Sequence, residues 1–263
     1  MHDASKVLLG TTDSSDREVS MFDSDPASFP AGTAVRVAST GALSTAKSAG
    51  FAAGISLGKS LSDTKKTAVL RAGGRVPLRL AFKGATGNAT ITSYANLVSG
   101  TADSITIGAT VFTAQAGAAT PGAATFQAAT SNNATATSLA AQINAHATAG
   151  ALVTAVASSA VVNLYAKASG AAGNSVALAY TNGDANVGAT VSGAALAGGS
   201  DTIGDVAFVT VGAKAYINDV TGLGDLAALG TVSDATYLTG VLSGVTEDGT
   251  LVPCALVDMR GGL

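Results

Sequence analysis

The chain has 263 residues, 12% charged and 47% hydrophobic, with 32 Gly, no Trp and a formal net charge of -3. Disorder needs low hydrophobicity with high net charge, and a spanning helix needs about 20 consecutive apolar residues, whereas Gly, Ser, Thr or Asn interrupts every apolar run here. Composition therefore excludes a disordered chain and a helical membrane protein, predicts no membrane partner, and leaves a folded protein surfaced with Ala, Gly, Thr, Ser and Asn, long enough for two ordinary domains.

The start, MHDASKVLLG, has no basic stretch leading into an apolar one, so no secretory signal is expected and the chain is read as made in a cytoplasm. The first segment reads as short strands. After the turn FPAG at 29–32 come strands over 35–38, 51–57, 67–70 and 76–82. In RVPLRLAF, residues 75–82, Val76, Leu78, Leu80 and Phe82 share one face at period 2, while Arg75, Pro77, Arg79 and Ala81 share the other. That pattern predicts a half-buried strand with a basic outer face, and Pro77 predicts an edge position.

A Gly-rich junction, KGATGN at 83–88, leads into a nearly uncharged middle; residues 104–166 hold no charged residue and only His146 as a titratable imidazole. SITIGATVFT, residues 104–113, predicts two strands about a Gly turn. A helix is expected to start near Asn133 as cap, with Leu139, Ile143 and Ala147 at i, i+4 and i+8 and Ala136 and Ala140 beside them. Strands follow over 152–156 and 161–166, then the turn SGAAGN at 169–174 and a strand over 176–180. A second Gly-rich junction, AGGSDTIG at 197–204, leads to strands over 207–211, 213–217, 237–242 and 251–257, with EDG at 247–249 as a turn.

Charge follows the same division. Residues 1–83 carry +4, residues 204–263 carry -5, and the stretch between them carries -2. Opposite charge on the two ends predicts that they fold together, with the middle looping out as an insertion. The expected fold is mainly β: a small β-barrel or sandwich base domain of residues 1–85 and 204–263, and an inserted α+β domain of residues 86–203, one antiparallel sheet with one helix.

No constellation of catalytic residues stands out. His2 is terminal, and His146 lies between two alanines with no nearby carboxylate in sequence, so neither makes a case for a Ser-His-Asp triad. His146 is expected near a helix C-terminus, where partial protonation is favourable. Two His and one Cys scattered along the chain predict no zinc site and no cofactor, and the single Cys254 excludes an internal disulfide, leaving it as a small buried hydrophobe. Gly222 and Gly224 in TGLGDLAALG lack the third glycine of a dinucleotide loop, and Asp184 in TNGDANVG lacks the alternating acids of a calcium loop, so both predict turns. Glu247 and Asp248 are adjacent and point apart, unlike a glycosidase pair. Lys65 and Lys66 are too small a footprint for nucleic acid, and the pI of about 5.2 argues against that partner.

The stretches at 24–58, SDPASFPAGTAVRVASTGALSTAKSAGFAAGISLG, and at 211–222, VGAKAYINDVTG, followed by 235–263 closing in ALVDMRGGL, together resemble the decoration, or cement, proteins of tailed-bacteriophage capsids. The middle, through SITIGATVFTA, TSLAAQINAHA and VNLYAKASGAAGNSVALAY, resembles a module inserted in phage tail sheath and other virion surface proteins. The resemblance implies a structural virion protein and no enzyme. It implies a β-rich base docked on the capsid exterior, a homotrimer, the major capsid protein as partner, and an inserted domain that projects outward and meets a host surface. Its alternative is a tail or fibre component with an adhesive surface domain. Arg17, Arg36, Arg71, Arg75 and Arg79 are the expected contact residues of the base, because Arg makes stronger interface pairs than Lys; the competing expectation for each is a solvated strand face.

Overall fold

The computed structural model describes residues 6–8, 18–23, 29–38, 43–45, 50–59, 66–72, 75–246 and 249–259. Seven strands come first: β1 (Lys6–Leu8), β2 (Glu18–Asp23), β3 (Ala34–Ala38), β4 (Leu43–Ser44), β5 (Gly50–Lys59), β6 (Lys66–Ala72) and β7 (Arg75–Arg79). The chain then builds β8 (Thr86–Ile91), β9 (Ser104–Ile107), β10 (Thr110–Gln115), β11 (Thr125–Gln127), helix α1 (Asn132–Ala145) and the single turn α2 (Ala149–Leu152). Next come β12 (Val153–Ser158), β13 (Val161–Ala166), β14 (Leu178–Thr181) and β15 (Ala189–Val191). It finishes with β16 (Lys214–Asn218), β17 (Gly224–Asp225), β18 (Gly230–Tyr237), β19 (Leu242–Val245) and β20 (Leu251–Asp258). With 44% strand against 15% helix the fold is mainly β. Two compact units result, Met1–Phe82 with Thr202–Leu263, and Lys83–Asp201.

In the first unit both chain ends share a sheet. Strand order is β1-β19-β20-β18-β16-β17, and β7 adds to β20 with Arg75 opposite Asp258 and Arg79 opposite Cys254. A second, antiparallel sheet has the order β2-β6-β5-β3-β4. No barrel closes among the described residues, which leaves a sandwich-like arrangement of the two expected. One core draws Val76, Leu78 and Leu80 from the first segment and Ala215, Ile217, Tyr237 and Val257 from the last, so neither segment can bury its apolar face without the other.

Strand β7 pairs with β20 alone among the strands, and Pro77 fits there for a specific reason. Arg79 directs its N–H away from β20 to the Gly32 carbonyl at 2.9 Å; two residues earlier the Pro77 nitrogen faces the same way, so the ladder lacks no bond. The expected basic outer face is not there. Arg75 is exposed and Arg79 half-buried, but Pro77 and Ala81 are buried, because Ala31 and Val252 pack with Cys254 on that side of the sheet. Burial also pushes the Cys254 thiol up to about 12. In the native protein Cys254 is therefore expected to resist a thiol-specific alkylating reagent at neutral pH, with labelling only when denaturant is added; rapid labelling of folded protein would contradict its placement.

Two of the expected strands in the last segment differ. Residues 207–211 have no strand partner and run as irregular chain. The strand expected over 237–242 is broken between Tyr237 and Leu242, where the Thr239 hydroxyl accepts the Leu256 N–H at 3.1 Å and bends the chain. The EDG turn falls partly on Glu247 and Asp248, which lie outside the described residues.

The second unit holds two four-stranded sheets rather than one, β11-β10-β9-β14 and β12-β13-β8-β15. All pairs are antiparallel except β10 with β11. Their inward residues, Ile105, Phe112, Phe126, Val162, Leu164 and Leu178 among them, form a single core that α1 completes with Ala136, Leu139, Ala140 and Ile143. The cap of α1 is Ser131, not Asn133. Its backbone is extended and its hydroxyl accepts the Ala134 N–H at 3.1 Å, while Asn132 turns away to bond Tyr94 and Thr92. Ala147 is exposed, because the helix stops at Ala145 and His146 begins the next turn.

Candidate interaction surfaces

Of the five arginines expected at a contact surface, Arg17 lies outside the described residues and Arg71 falls in β6, described by its backbone alone. Arg36, on β3, is committed within its own unit: its Nη1 donates to Asp219 Oδ1 at 3.3 Å, with side chains 17% and 33% exposed. Arg75 is exposed, and Arg79 is half-buried against Gly32. Of the three whose side chains are described, Arg36 is turned to Asp219 and Arg79 is half-buried, which leaves Arg75 exposed.

The residues after β16 explain how Asp219 meets Arg36. Asn218 Oδ1 accepts the N–H groups of Val220 and Thr221 at 2.9 and 3.0 Å, closing an Asx turn. Gly222 ends it at φ +70°, and a side chain there would collide with the Ala34 carbonyl, so the expected turn at TGLG has a steric requirement for glycine. The turn aims Asp219 at Arg36 and at the Thr231 hydroxyl, 2.8 Å away. It also leaves Val220 77% exposed, and Val232 on β18 is 55% exposed. A cavity of about 70 Å³ lined by Arg36, Thr45, Thr231 and Val232 lies beside the ion pair. That is room for about two waters and well below the size of a small-molecule pocket. The surface offers apolar side chains and hydrogen bonds rather than a reaction chamber.

Beneath it sits a buried polar cluster. Asp225, 7% exposed, accepts from Asn218 Nδ2 at 2.9 Å and from the Leu226 N–H at 2.8 Å. The Tyr237 hydroxyl is buried without a hydrogen-bond partner among the described residues, and burial, then the Asp225 charge, raises its pKa. Burial also raises Asp225 above the ordinary 3.8, against the two hydrogen bonds. The native state thus holds this proton more tightly than the unfolded chain, so the contribution is greatest below pH 3.8 and is lost as pH rises through the folded-state value. Asp225→Asn is expected to gain stability relative to the parent as pH rises from about 4 to 7, read by urea unfolding at both pH values. A difference that stays constant with pH would dismiss the buried acid as its source.

In the second unit, His146 serves structure. Its Nδ1 accepts the Thr148 and Ala149 N–H groups at 3.2 and 3.3 Å, and its ring meets the Phe112 ring edge-on, with centroids 5.5 Å apart. Among the described residues no group of three or more His, Cys, Asp or Glu is placed to hold a metal, and no helix is long and apolar enough to cross a membrane. His2, Lys65, Glu247 and Asp248 lie outside the described residues.

The same unit has a much larger concavity, about 730 Å³, over the outer side of the sheet β12-β13-β8-β15. Two cross-strand pairs floor it, Asn163 opposite Asn88 and Tyr165 opposite Thr86, and residues 192–198 wall it. The wall exists because the chain after β15 leaves β8. Ser192 still bonds Asn88, but the Leu178 N–H takes the Ala194 carbonyl, drawing the segment toward β14 before Ala197 returns to Thr86. Sequence reasoning placed Asn88 in the Gly-rich junction at 83–88 and gave Asn163 no role; the alternation of 161–166, with 162, 164 and 166 inward, was the available signal that Asn163 and Tyr165 share the outer face. Comparison with protein-family models, curated proteins and solved structures finds no match to this chain.

Proposed function

We propose that the chain is a structural virion protein that binds the outer surface of an assembled phage capsid and stabilises it, as a cement or decoration protein, and not an enzyme. The observation that carries this reading is the pairing of β7 with β20. The base unit is closed by strands from both chain ends, so a second unit is carried between them without interrupting its core. That is the organisation the resemblance to capsid decoration proteins implies. Exposed Val220, Val232 and Arg75 are the side chains we assign to contact with the major capsid protein or with neighbouring copies in a homotrimer, while Arg36 serves the base itself through Asp219. Modest contacts repeated over a shell give high avidity without a large interface per copy.

The alternative, a tail or fibre component with an adhesive domain, is favoured by the uncharged concavity on the second unit. Copy number separates the two. Purified chain mixed with empty shells that lack it is expected to co-sediment, to saturate at a number set by the icosahedral lattice, and to raise the temperature at which the shells open. Failure to bind shells would remove the cement reading and bring the tail or fibre reading forward.

A further inference from the structure

The second unit is short of charge throughout: Lys83, Lys167, Asp103, Asp184 and Asp201 are its only Lys, Arg, Asp or Glu residues. None of them lines the concavity over β8 and β13, nor does His146. Its floor instead presents Asn88, Asn163 and Tyr165, all half-buried. Among the described residues, none makes a hydrogen bond to any of these three side chains. Two amides directly opposite one another and a phenol two residues along the same strand thus stand open in one recess, whereas the amides of Asn218 and Asn174 are bonded.

We propose that this groove binds a neutral carbohydrate chain. An amide offers one acceptor and two donors in a fixed plane, which matches a sugar hydroxyl that both donates and accepts; paired amides match neighbouring hydroxyls. A phenol ring presents an apolar face to the C–H face of a pyranose and a hydroxyl at its rim. The absence of charge selects among ligands. Nucleic acid requires phosphate-neutralising cations, and a charged glycan or peptide would surrender hydration with no counter-charge to offset it, whereas a neutral polyol exchanges water for amides at little cost. The volume, about 730 Å³, lies within the range of small-ligand sites and accommodates a few sugar rings. Ser192, whose hydroxyl oxygen accepts the Asn88 N–H at 3.0 Å, keeps its own O–H to give to a ligand at the wall. This inference does not rest on the capsid reading.

The test is an amide NMR titration of the full chain with neutral hexasaccharides of glucose (α-1,4 and β-1,4), N-acetylglucosamine and xylose, and with hexagalacturonate as the charged control. The expected result is a saturable shift, with at least one neutral sugar, of the Asn88 and Asn163 side-chain amides and of the backbone at 86–88, 163–165 and 192–198. Asn163→Ala and Tyr165→Ala are each expected to weaken that sugar about fivefold or more, and Thr190→Ala, on the same sheet outside the groove, to leave it unchanged. The dispersion of each variant's spectrum reports its folding, and Asn163→Ala serves if Tyr165→Ala does not fold. The proposal is overturned if no neutral sugar shifts the groove, if hexagalacturonate shifts it equally, or if the same signals move with protein concentration alone, which would give the face to a second copy of the chain.

Discussion

Asp103→Ala is expected to destabilise the second unit by about 2–3 kcal/mol, because it removes a buried acceptor from two half-buried donors at once. Asp103 is fully buried. Its Oδ2 accepts the Tyr180 O–H at 2.5 Å, its Oδ1 accepts the Gly183 N–H at 2.8 Å, and the Tyr180 oxygen accepts the Gly188 N–H at 2.8 Å. One carboxylate thus ties the start of β9 to β14 and to both ends of the loop at 183–188. Tyr180→Phe keeps the ring and the Gly183 bond, so about 1–2 kcal/mol is expected, and the two changes should be strongly non-additive. Hydrogen exchange over residues 83–201 during urea titration reads both. Unchanged protection in Asp103→Ala would mean that water replaces the carboxylate and that the network holds nothing. The network also has a signature at alkaline pH. Burial first, and then the bond to Asp103, raises the Tyr180 pKa above 10.0, so the folded state keeps a proton that the unfolded chain releases. That stability is complete below pH 10.0 and is lost as pH rises through the folded-state value.

What could be read from the sequence was local. Strands β10 and β13 and helix α1 were legible because their inward residues are apolar at period 2 or at i, i+4, and those patterns depend on no distant neighbour. Strand β18, GTVSDATY, was not. Its only fully buried side chains are Ala235 and Tyr237, and it is a strand because β16 and β20 supply its ladder. The parallel alignment of β11 on β10 was hidden for the same reason. Among the described residues, opposite charge on the two chain ends meets in the Arg36–Asp219 pair, but its partners are 183 residues apart and nothing near either names the other. The paired amides of the groove are 75 positions apart, and Asn alone signals a turn or a cap far more often than a strand floor.

The division of charge between the units bears on how the protein could be built into a larger assembly. The ion pairs Arg36–Asp219 and Lys214–Asp234 both lie in the base unit. Salt weakens exposed charge pairs and leaves amide and apolar contacts largely intact. A surface of Ala, Thr, Asn and Gly in the second unit is therefore suited to contacts that persist across a wide range of ionic strength. The same lack of charge removes electrostatic steering from any contact this unit makes.

Phe112→Ala is expected to cost about 3–5 kcal/mol. Phe112 is fully buried on β10, between β9 and β11, and among the largest side chains of the core that both sheets and α1 share. Its removal opens a cavity that three layers border, and two sheets and a helix fixed by their own ladders can close only part of it. The edge of the His146 ring loses its support as well, and with it the Nδ1 that accepts the Thr148 and Ala149 N–H groups where α1 gives way to α2. Phe112→Leu separates the two effects: it keeps most of the apolar volume and gives up the ring contact, so about 1–1.5 kcal/mol is expected. Thermal unfolding, with hydrogen exchange at residues 146–152 as a local readout, distinguishes them. If exchange there rises in Phe112→Ala and not in Phe112→Leu, lost volume is what frees the helix junction; if it rises equally in both, the ring contact to His146 holds the junction in place.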